Sequence, residues 1–129
     1  MELQEKLNFL FGGEVCDFKL DILNHSVSFE IRIFENEENT TFNILIERVS
    51  SFLFDDPNSL EFNNYDWDKI ELSSFYYSPL DIYKMEMKSK NNDFIDCKTE
   101  YNLFLEFWES KLFIRSENLI INNEKFVLK

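Results

Sequence analysis

The amino-acid sequence predicts a mainly β protein: a single-domain antiparallel β-sandwich or open barrel of hairpins, with a short N-terminal α-helix. The 129 residues include no Ala and only two Gly and two Pro, whereas Phe, Ile and Leu recur with a period of two. Strand-like segments follow one another about every 10 residues, separated by short polar turns, which is typical of sandwiches and barrels. A chain of this length is enough for one domain, residues 1–129.

The N-terminal segment departs from this β pattern. Its apolar side chains are spaced to share one face of a helix, at Leu3, Leu7, Leu10 and Phe11. A helix commonly ends at glycine, and Gly12-Gly13 follows directly. We therefore predict a helix over about residues 2–11 that packs across the sheet or closes one end of it.

The next segment predicts a three-stranded meander over about residues 15–49. A two-residue turn at Asn24-His25 aligns apolar residues on one face: Ile22 with Val27, Leu20 with Phe29, Phe18 with Ile31 and Cys16 with Ile33. On the other face it aligns opposite charges, Lys19 with Glu30 and Asp17 with Arg32. A four-residue loop, 36–39, then sets Ile33 against Phe42, Ile31 against Ile44 and Phe29 against Ile46.

The rest of the chain predicts an irregular segment and two regions of hairpins. Residues 52–68 lose the alternation and contain turn-forming pairs, so we predict irregular structure there. Strands over 69–77 and 81–88 predict a hairpin over about 69–88. Further hairpins over about 100–128 turn at Glu109-Ser110, which pairs Phe107 with Leu112 and Leu105 with Ile114, and at Asn122-Asn123.

The charge of the chain limits its possible partners. The net charge is -12 and the sequence pI is near 4.4. Nucleic acids and anionic membranes need clustered Lys and Arg, so neither is expected, and a basic protein is favoured. The alternative is that the acidic residues only keep a Phe-rich chain soluble. The first residues lack a secretory signal and no apolar run reaches the roughly 20 residues that span a bilayer, which predicts a cytoplasmic protein.

The sequence offers few residues for catalysis or metal binding. There is one His and there are two Cys, which give no metal-ligand spacing. We place His25 in a hairpin turn and Cys16 on the buried face of its strand, where each has a structural role. Neither a cofactor nor a metal is expected, and we predict that the protein is not an enzyme.

One region combines acidic and aromatic residues and is our candidate partner-binding surface. Its members are Asp55, Asp56, Tyr65, Asp66, Trp67, Asp68, Tyr76 and Tyr77. Aromatic anchors inside an acidic rim are typical of protein-binding hot spots. The alternative is that these rings fill one edge of the core.

Four segments resemble a known family: Leu7–Gly12, Phe18–Asn24, Leu105–Ser110 and Phe113-Ile114. In these segments the chain is similar to the YxiG-like family of small uncharacterised Bacillus proteins. The family supplies no catalytic residues to carry over. Its members resemble, in size and acidity, the immunity proteins that accompany polymorphic secreted toxins.

Two functional hypotheses follow from these observations. The first is a non-catalytic protein-binding domain, an immunity or inhibitor protein that neutralises a basic partner such as a toxin domain. The alternative is a small-ligand or carbohydrate-binding β domain with Tyr and Trp at the mouth of a barrel. The alternative predicts a deep pocket lined by aromatic rings.

Overall fold

The structure is a computed structural model that describes residues 2–56, 70–79, 83–88 and 95–129. Its elements in chain order are α1 (Leu3–Asn8), β1 (Glu14–Asp21), β2 (Ser26–Glu35), β3 (Glu38–Glu47), β4 (Ser51–Asp55), β5 (Leu72–Tyr77), β6 (Tyr83–Lys88), β7 (Ile95–Tyr101), β8 (Leu103–Phe107), β9 (Ser110–Arg115), β10 (Asn118–Ile121) and β11 (Glu124–Val127).

The strands form antiparallel sheets, which confirms the predicted fold class. The first sheet has the order β1-β2-β3-β10-β11, the second has the order β4-β9-β8-β5, and β6 pairs with β7 in a separate ribbon. Neither large sheet closes into a barrel, so the two predicted arrangements, a sandwich or an open barrel of hairpins, are represented by two separate open sheets. No helix in the described residues is long and apolar enough to cross a membrane.

The hydrophobic core lies between the two large sheets. The first sheet contributes alternate residues such as Val27, Ile31 and Ile46, and the second contributes residues such as Leu105 and Ile114, all of them fully buried. This alternation is the period-two pattern of the sequence, since successive strand residues point to opposite faces. Burial of this apolar area is the main force that holds the sheets together.

Helix α1 is shorter than predicted and closes one side of the core. Leu7 and Leu10 are buried as expected, but Phe11 is 71% exposed because the helix gives way to turns after Asn8. The Gln4 side-chain amide bonds the backbone of β5: its Nε2 donates to the Phe75 carbonyl at 3.1 Å, and its Oε1 accepts from the Tyr77 N–H at 2.9 Å.

The two glycines after the helix join it to both sheets. The Gly12 N–H donates to the Leu72 carbonyl, and the Leu72 N–H donates to the Gly13 carbonyl, each at 2.8 Å. Gly12 has a φ of +80° with open space around it. Gly13 has no such space, since a Cβ there would clash with the buried Ile31 side chain and lie 3.1 Å from the Leu10 carbonyl oxygen. Its lack of a side chain lets β1 approach the core closely.

The predicted register of the first hairpin is wrong. Leu20 pairs with Val27 rather than Phe29, because Asp21 pairs with Ser26 and the loop spans residues 22–25. A β-bulge then sets Asp17 and Phe18 opposite the single residue Phe29, with Asp17 at a φ of 52°.

The bulge also changes which β1 residues face the core. Beyond it Val15 pairs with Ile31, so Val15 takes the inward position predicted for Cys16. Cys16 instead lies opposite Glu30 and is half-buried. The predicted charge pairs are likewise absent from the register: Lys19 pairs with Ser28, and Arg32 pairs with Glu14.

The next two hairpins are each shifted by two residues from the prediction. Phe29 pairs with Ile44 through a two-residue turn at Asn36-Glu37, and Leu105 pairs with Leu112 through a turn at Trp108-Glu109. In each turn the first residue has a positive φ, 52° at Asn36 and 57° at Trp108, as short hairpin turns require. The predicted turn at Asn122-Asn123 is confirmed, and both its residues have positive φ.

The middle of the chain differs from the prediction in two ways. Residues 52–55 belong to strand β4, which pairs with β9, and are not irregular. The predicted hairpin over 69–88 is wrong because β5 pairs with β8 and β6 pairs with β7. Residues 57–69, which include most of the predicted irregular segment, lie outside the described residues.

A buried polar network ties the two sheets together at one corner. Asn102, between β7 and β8, is 1% exposed and donates from Nδ2 to the carbonyls of Ser116 and Lys129 at 2.9 and 3.1 Å. Its Oδ1 accepts from the Ser116 N–H at 3.1 Å. The Ser116 hydroxyl bonds in turn to the Glu47 carbonyl at the end of β3. Every polar group of the Asn102 side chain thus has a partner.

Candidate protein-binding surfaces

The structure brings two of the predicted partner-binding residues to the same surface. Asp55 at the end of β4 is exposed, and Tyr76 on β5 is 47% exposed. Both lie on the outer face of the second sheet, on its two edge strands, and these strands are about 14 Å apart at the usual strand spacing.

The other predicted residues do not join this surface in the described structure. Tyr77 points inward against the core, and its hydroxyl accepts from the Lys129 N–H at 3.1 Å. Asp56 is half-buried just after β4. Tyr65, Asp66, Trp67 and Asp68 lie outside the described residues.

An aromatic row crosses this outer face. Strand pairing aligns Leu53, Phe113, Phe104 and Tyr76 from one edge to the other. The rings of Phe104 and Phe113 are 5.1 Å apart, and the buried Tyr101 ring lies 5.9 Å from Phe113. These contacts show that the aromatic residues beside Tyr76 pack against one another.

The charges beside the aromatic row are mixed. The neighbouring row aligns Asp55 with Lys111 and Lys111 with Glu106. Arg115 lies farther along β9 on the same face. Acids and bases therefore alternate there, and the described part of this face has no acidic excess.

A stronger acidic feature lies at the tip of the β2–β3 hairpin. Glu35, Glu37 and Glu38 are exposed, and Glu35 pairs directly with Glu38 across the turn. Phe9 is 63% exposed and lines the same groove as Glu35, although nothing in the sequence pattern connects it with the hairpin. The sequence does contain one signal that the prediction missed: Phe9 is a large apolar residue that does not belong to the apolar face of α1, so it is expected to be exposed.

An apolar pocket of about 210 Å³ opens at one end of the sandwich. Its lining includes the rings of Phe18, Phe54, Phe107 and Trp108. Among the described residues that line it, Ser110 is the one with a hydroxyl group. The β1 bulge positions Phe18, whose ring stacks on Phe29 at 5.5 Å and meets Phe107 edge-on at 6.3 Å. This arrangement suits a small apolar ligand better than a sugar, which needs several hydrogen-bonding partners.

Among the described side chains, His25 and Cys16 lie apart from each other. His25 ends the β1–β2 loop, where its Nδ1 lies 3.3 Å from the Val49 carbonyl oxygen. Cys16 is about 15 Å away along β1. Desolvation raises the pKa of the Cys16 thiol above its ordinary value, against the opposing effect of Arg32. No group of three or more His, Cys, Asp or Glu among the described residues could hold a metal ion.

Comparison with known families identifies the chain. The family model described as YxiG-like protein matches residues 3–126, nearly the whole sequence. The chain belongs to the YxiG-like protein family. The resemblance inferred from segments such as Leu7–Gly12 is thereby confirmed. A search of curated proteins found no match to this YxiG-like chain.

Proposed function

We propose that this YxiG-like protein binds a basic partner protein and acts by binding rather than by catalysis, in the cytoplasm. The observation that carries the proposal is the joint exposure of acidic and large apolar side chains on a chain of net charge -12. Examples are the exposed Glu35 and the exposed rings of Phe9 and Phe11, which line one groove. Exposed apolar side chains supply contact area, while excess acid selects a basic surface.

We further propose that the partner is a toxin domain, such as a basic nuclease, and that the protein is its immunity protein. The support is the similarity in size and acidity between the family and immunity proteins, which is an analogy. An acidic inhibitor that covers the cleft of a basic enzyme is expected to associate rapidly, because opposite net charges steer the encounter.

The experiment is co-expression of the protein with the products of its neighbouring genes, followed by affinity capture at low salt. We expect a stoichiometric complex with a basic protein, and an association rate that falls steeply between about 50 and 500 mM NaCl as the charges are screened. Recovery of the free protein alone at low salt would contradict the proposal.

A second candidate function is the binding of a small apolar ligand in the pocket at the end of the sandwich. The supporting observation is the ring-lined volume of about 210 Å³ described above. Titration with 1-anilinonaphthalene-8-sulfonate should give a saturable fluorescence increase. Filling the pocket with Val15→Phe should abolish that increase, whereas the same substitution at the exposed Val127 should not.

A further inference from the structure

We propose that the groove between the end of α1 and the tip of the β2–β3 hairpin docks a basic, apolar-anchored polypeptide segment of the partner protein. The inference rests on the proposed function and specifies its surface. We assign the binding surface for a basic partner to this groove and not to the outer face of the second sheet, where acidic and basic residues alternate.

The groove has an apolar floor and two exposed rings along one wall, and polar side chains such as Thr40 and Asn122 complete its lining. Its volume is about 470 Å³, and Ile33 and Phe42 lie on the inward face of the hairpin where it extends past the buried core. Phe9 and Phe11 line the groove from the turns after α1, with 63% and 71% of their surfaces exposed. Such exposure of two rings beside a concave apolar surface is typical of a contact site for another chain.

The acidic residues of the hairpin tip lie on the same face as this floor. Residues two apart on a strand share a face, so Glu35 lies on the side of Ile33. Direct cross-strand partners also share a face, so Glu38 lies on the side of Glu35. A ligand in the groove therefore meets two carboxylates at its distal end.

These carboxylates are uncompensated within the described structure. No described Lys or Arg lies within ion-pair distance of Glu35, Glu37 or Glu38, whereas Glu124 on the opposite rim pairs with Lys6. Like charges directly opposite each other destabilise a hairpin. A cation supplied by a partner would remove this repulsion, which favours Lys or Arg in the docked segment.

Charge also decides between the possible occupants. A second copy of the chain would bring another net charge of -12 toward the same carboxylates, and a nucleic acid or anionic lipid would be repelled in the same way. A partner segment with a Leu-like side chain for the floor and a Lys or Arg for the tip complements both parts of the groove.

The first test uses a defined probe, an eight-residue peptide of alternating Leu and Lys, titrated into ¹⁵N-labelled protein. We expect amide shifts centred on Phe9, Phe11, Ile33 and Glu38. Peptides that alternate Leu with Glu, or Ser with Lys, should bind at least tenfold more weakly. Shifts confined to another surface, or equal binding of the three peptides, would overturn the inference.

Variants inside the groove and outside it test the inference. The double substitutions Phe9→Ser with Phe11→Ser, and Glu35→Lys with Glu38→Lys, should each weaken Leu-Lys peptide binding at least tenfold while far-UV circular dichroism stays unchanged. Phe34→Ser is the aromatic control, because Phe34 is 70% exposed on the same strand but faces the other way. Glu117→Lys is the charge control, about 30 Å away at the far end of β3. Controls that weaken binding as much as the groove variants overturn the inference.

The same variants tested on the captured partner separate this inference from the proposed function. Loss of capture with the groove variants, and retention with Phe34→Ser and Glu117→Lys, supports the inference. Full capture by the groove variants overturns the groove while the proposed function stands. Sedimentation velocity tests for a second copy in the groove. If the free protein forms concentration-dependent dimers that the groove variants abolish, the groove binds a second copy of the chain and the inference is overturned.

Discussion

At the scale of single residues, the two adjacent glycines differ in what their missing side chains allow. Gly13→Ala should destabilise the protein by about 1–3 kcal/mol, because its Cβ must displace the buried Ile31 side chain or the Leu10 carbonyl. Gly12→Asn should cost less than about 1 kcal/mol, because the site is open and Asn tolerates positive φ. Urea unfolding followed by Trp fluorescence measures both. Equal losses of unfolding free energy in the two variants would contradict the conclusion that close packing excludes a side chain at Gly13.

Asp21 gives a prediction about pH. Asn24 lowers the pKa of Asp21 below its ordinary value, since its side-chain amide donates at 2.6 Å and its backbone N–H at 3.2 Å. A carboxyl whose pKa is lower in the folded state stabilises that state above its unfolded pKa, and the contribution is lost as the pH falls through the folded pKa.

Asn24→Ala should therefore raise the pKa of Asp21 while keeping the backbone contribution. Carboxyl ¹³C chemical shifts followed against pH measure this directly. The stability difference between the native protein and the variant should shrink on acidification. An unchanged Asp21 midpoint would contradict the assigned hydrogen bond.

At the scale of elements, the β2–β3 turn has conformational strain that one substitution can remove. Asn36 and Glu37 both have positive φ, 52° and 64°, and a two-residue turn of this kind favours Asn-Gly. Glu37→Gly should stabilise the protein by about 1 kcal/mol. Glu37→Ala is the control, because it removes the same charge but retains the strained φ. Equal stabilisation by both in thermal unfolding would assign the effect to charge instead.

The hairpins also explain how far the fold could be predicted from the sequence. Apolar alternation fixes which residues share a face, so the predicted partners of Phe29 and Leu105 were wrong by two positions while their inward orientation was correct. A shift of two preserves the alternation, and only turn geometry distinguishes the two registers. The β1 bulge breaks the alternation itself, which is why Cys16 was assigned to the wrong face.

The candidate site was less predictable than the strands for the same reason. Proximity in sequence linked Asp55 to Tyr76, but strand order places them on opposite edges of a face with mixed charges. The groove instead joins α1 to the β2–β3 hairpin, and Phe9 and Glu38 are far apart in sequence. Local composition could identify the acidic tip but not the rings that lie near it.

At the scale of the whole molecule, stability depends on the polar corner that joins the sheets. Asn102→Ala should lower the free energy of unfolding by on the order of 2–4 kcal/mol, because it leaves the Ser116 N–H and two carbonyls without the partners they now have. Asn43→Ala, at an exposed position, should change it by less than about 0.5 kcal/mol. Denaturant unfolding compares the two, and similar values would mean that the corner contributes little.

The Gln4 contacts have a consequence for self-assembly. Among the described strands, β5 is the last of its sheet, and an uncovered last strand is a template on which another chain can add. Gly12 and Gly13 form hydrogen bonds with the start of that edge. The Gln4 amide forms hydrogen bonds with its end, where it offers the donor and the acceptor that one backbone residue of a neighbouring strand would offer. We therefore expect the N-terminal helix to hinder fibre-like aggregation at this edge. Cleavage ahead of Gly12 should uncover the end of the edge that Gln4 covers and should also loosen the core, because it detaches the buried Leu7 and Leu10.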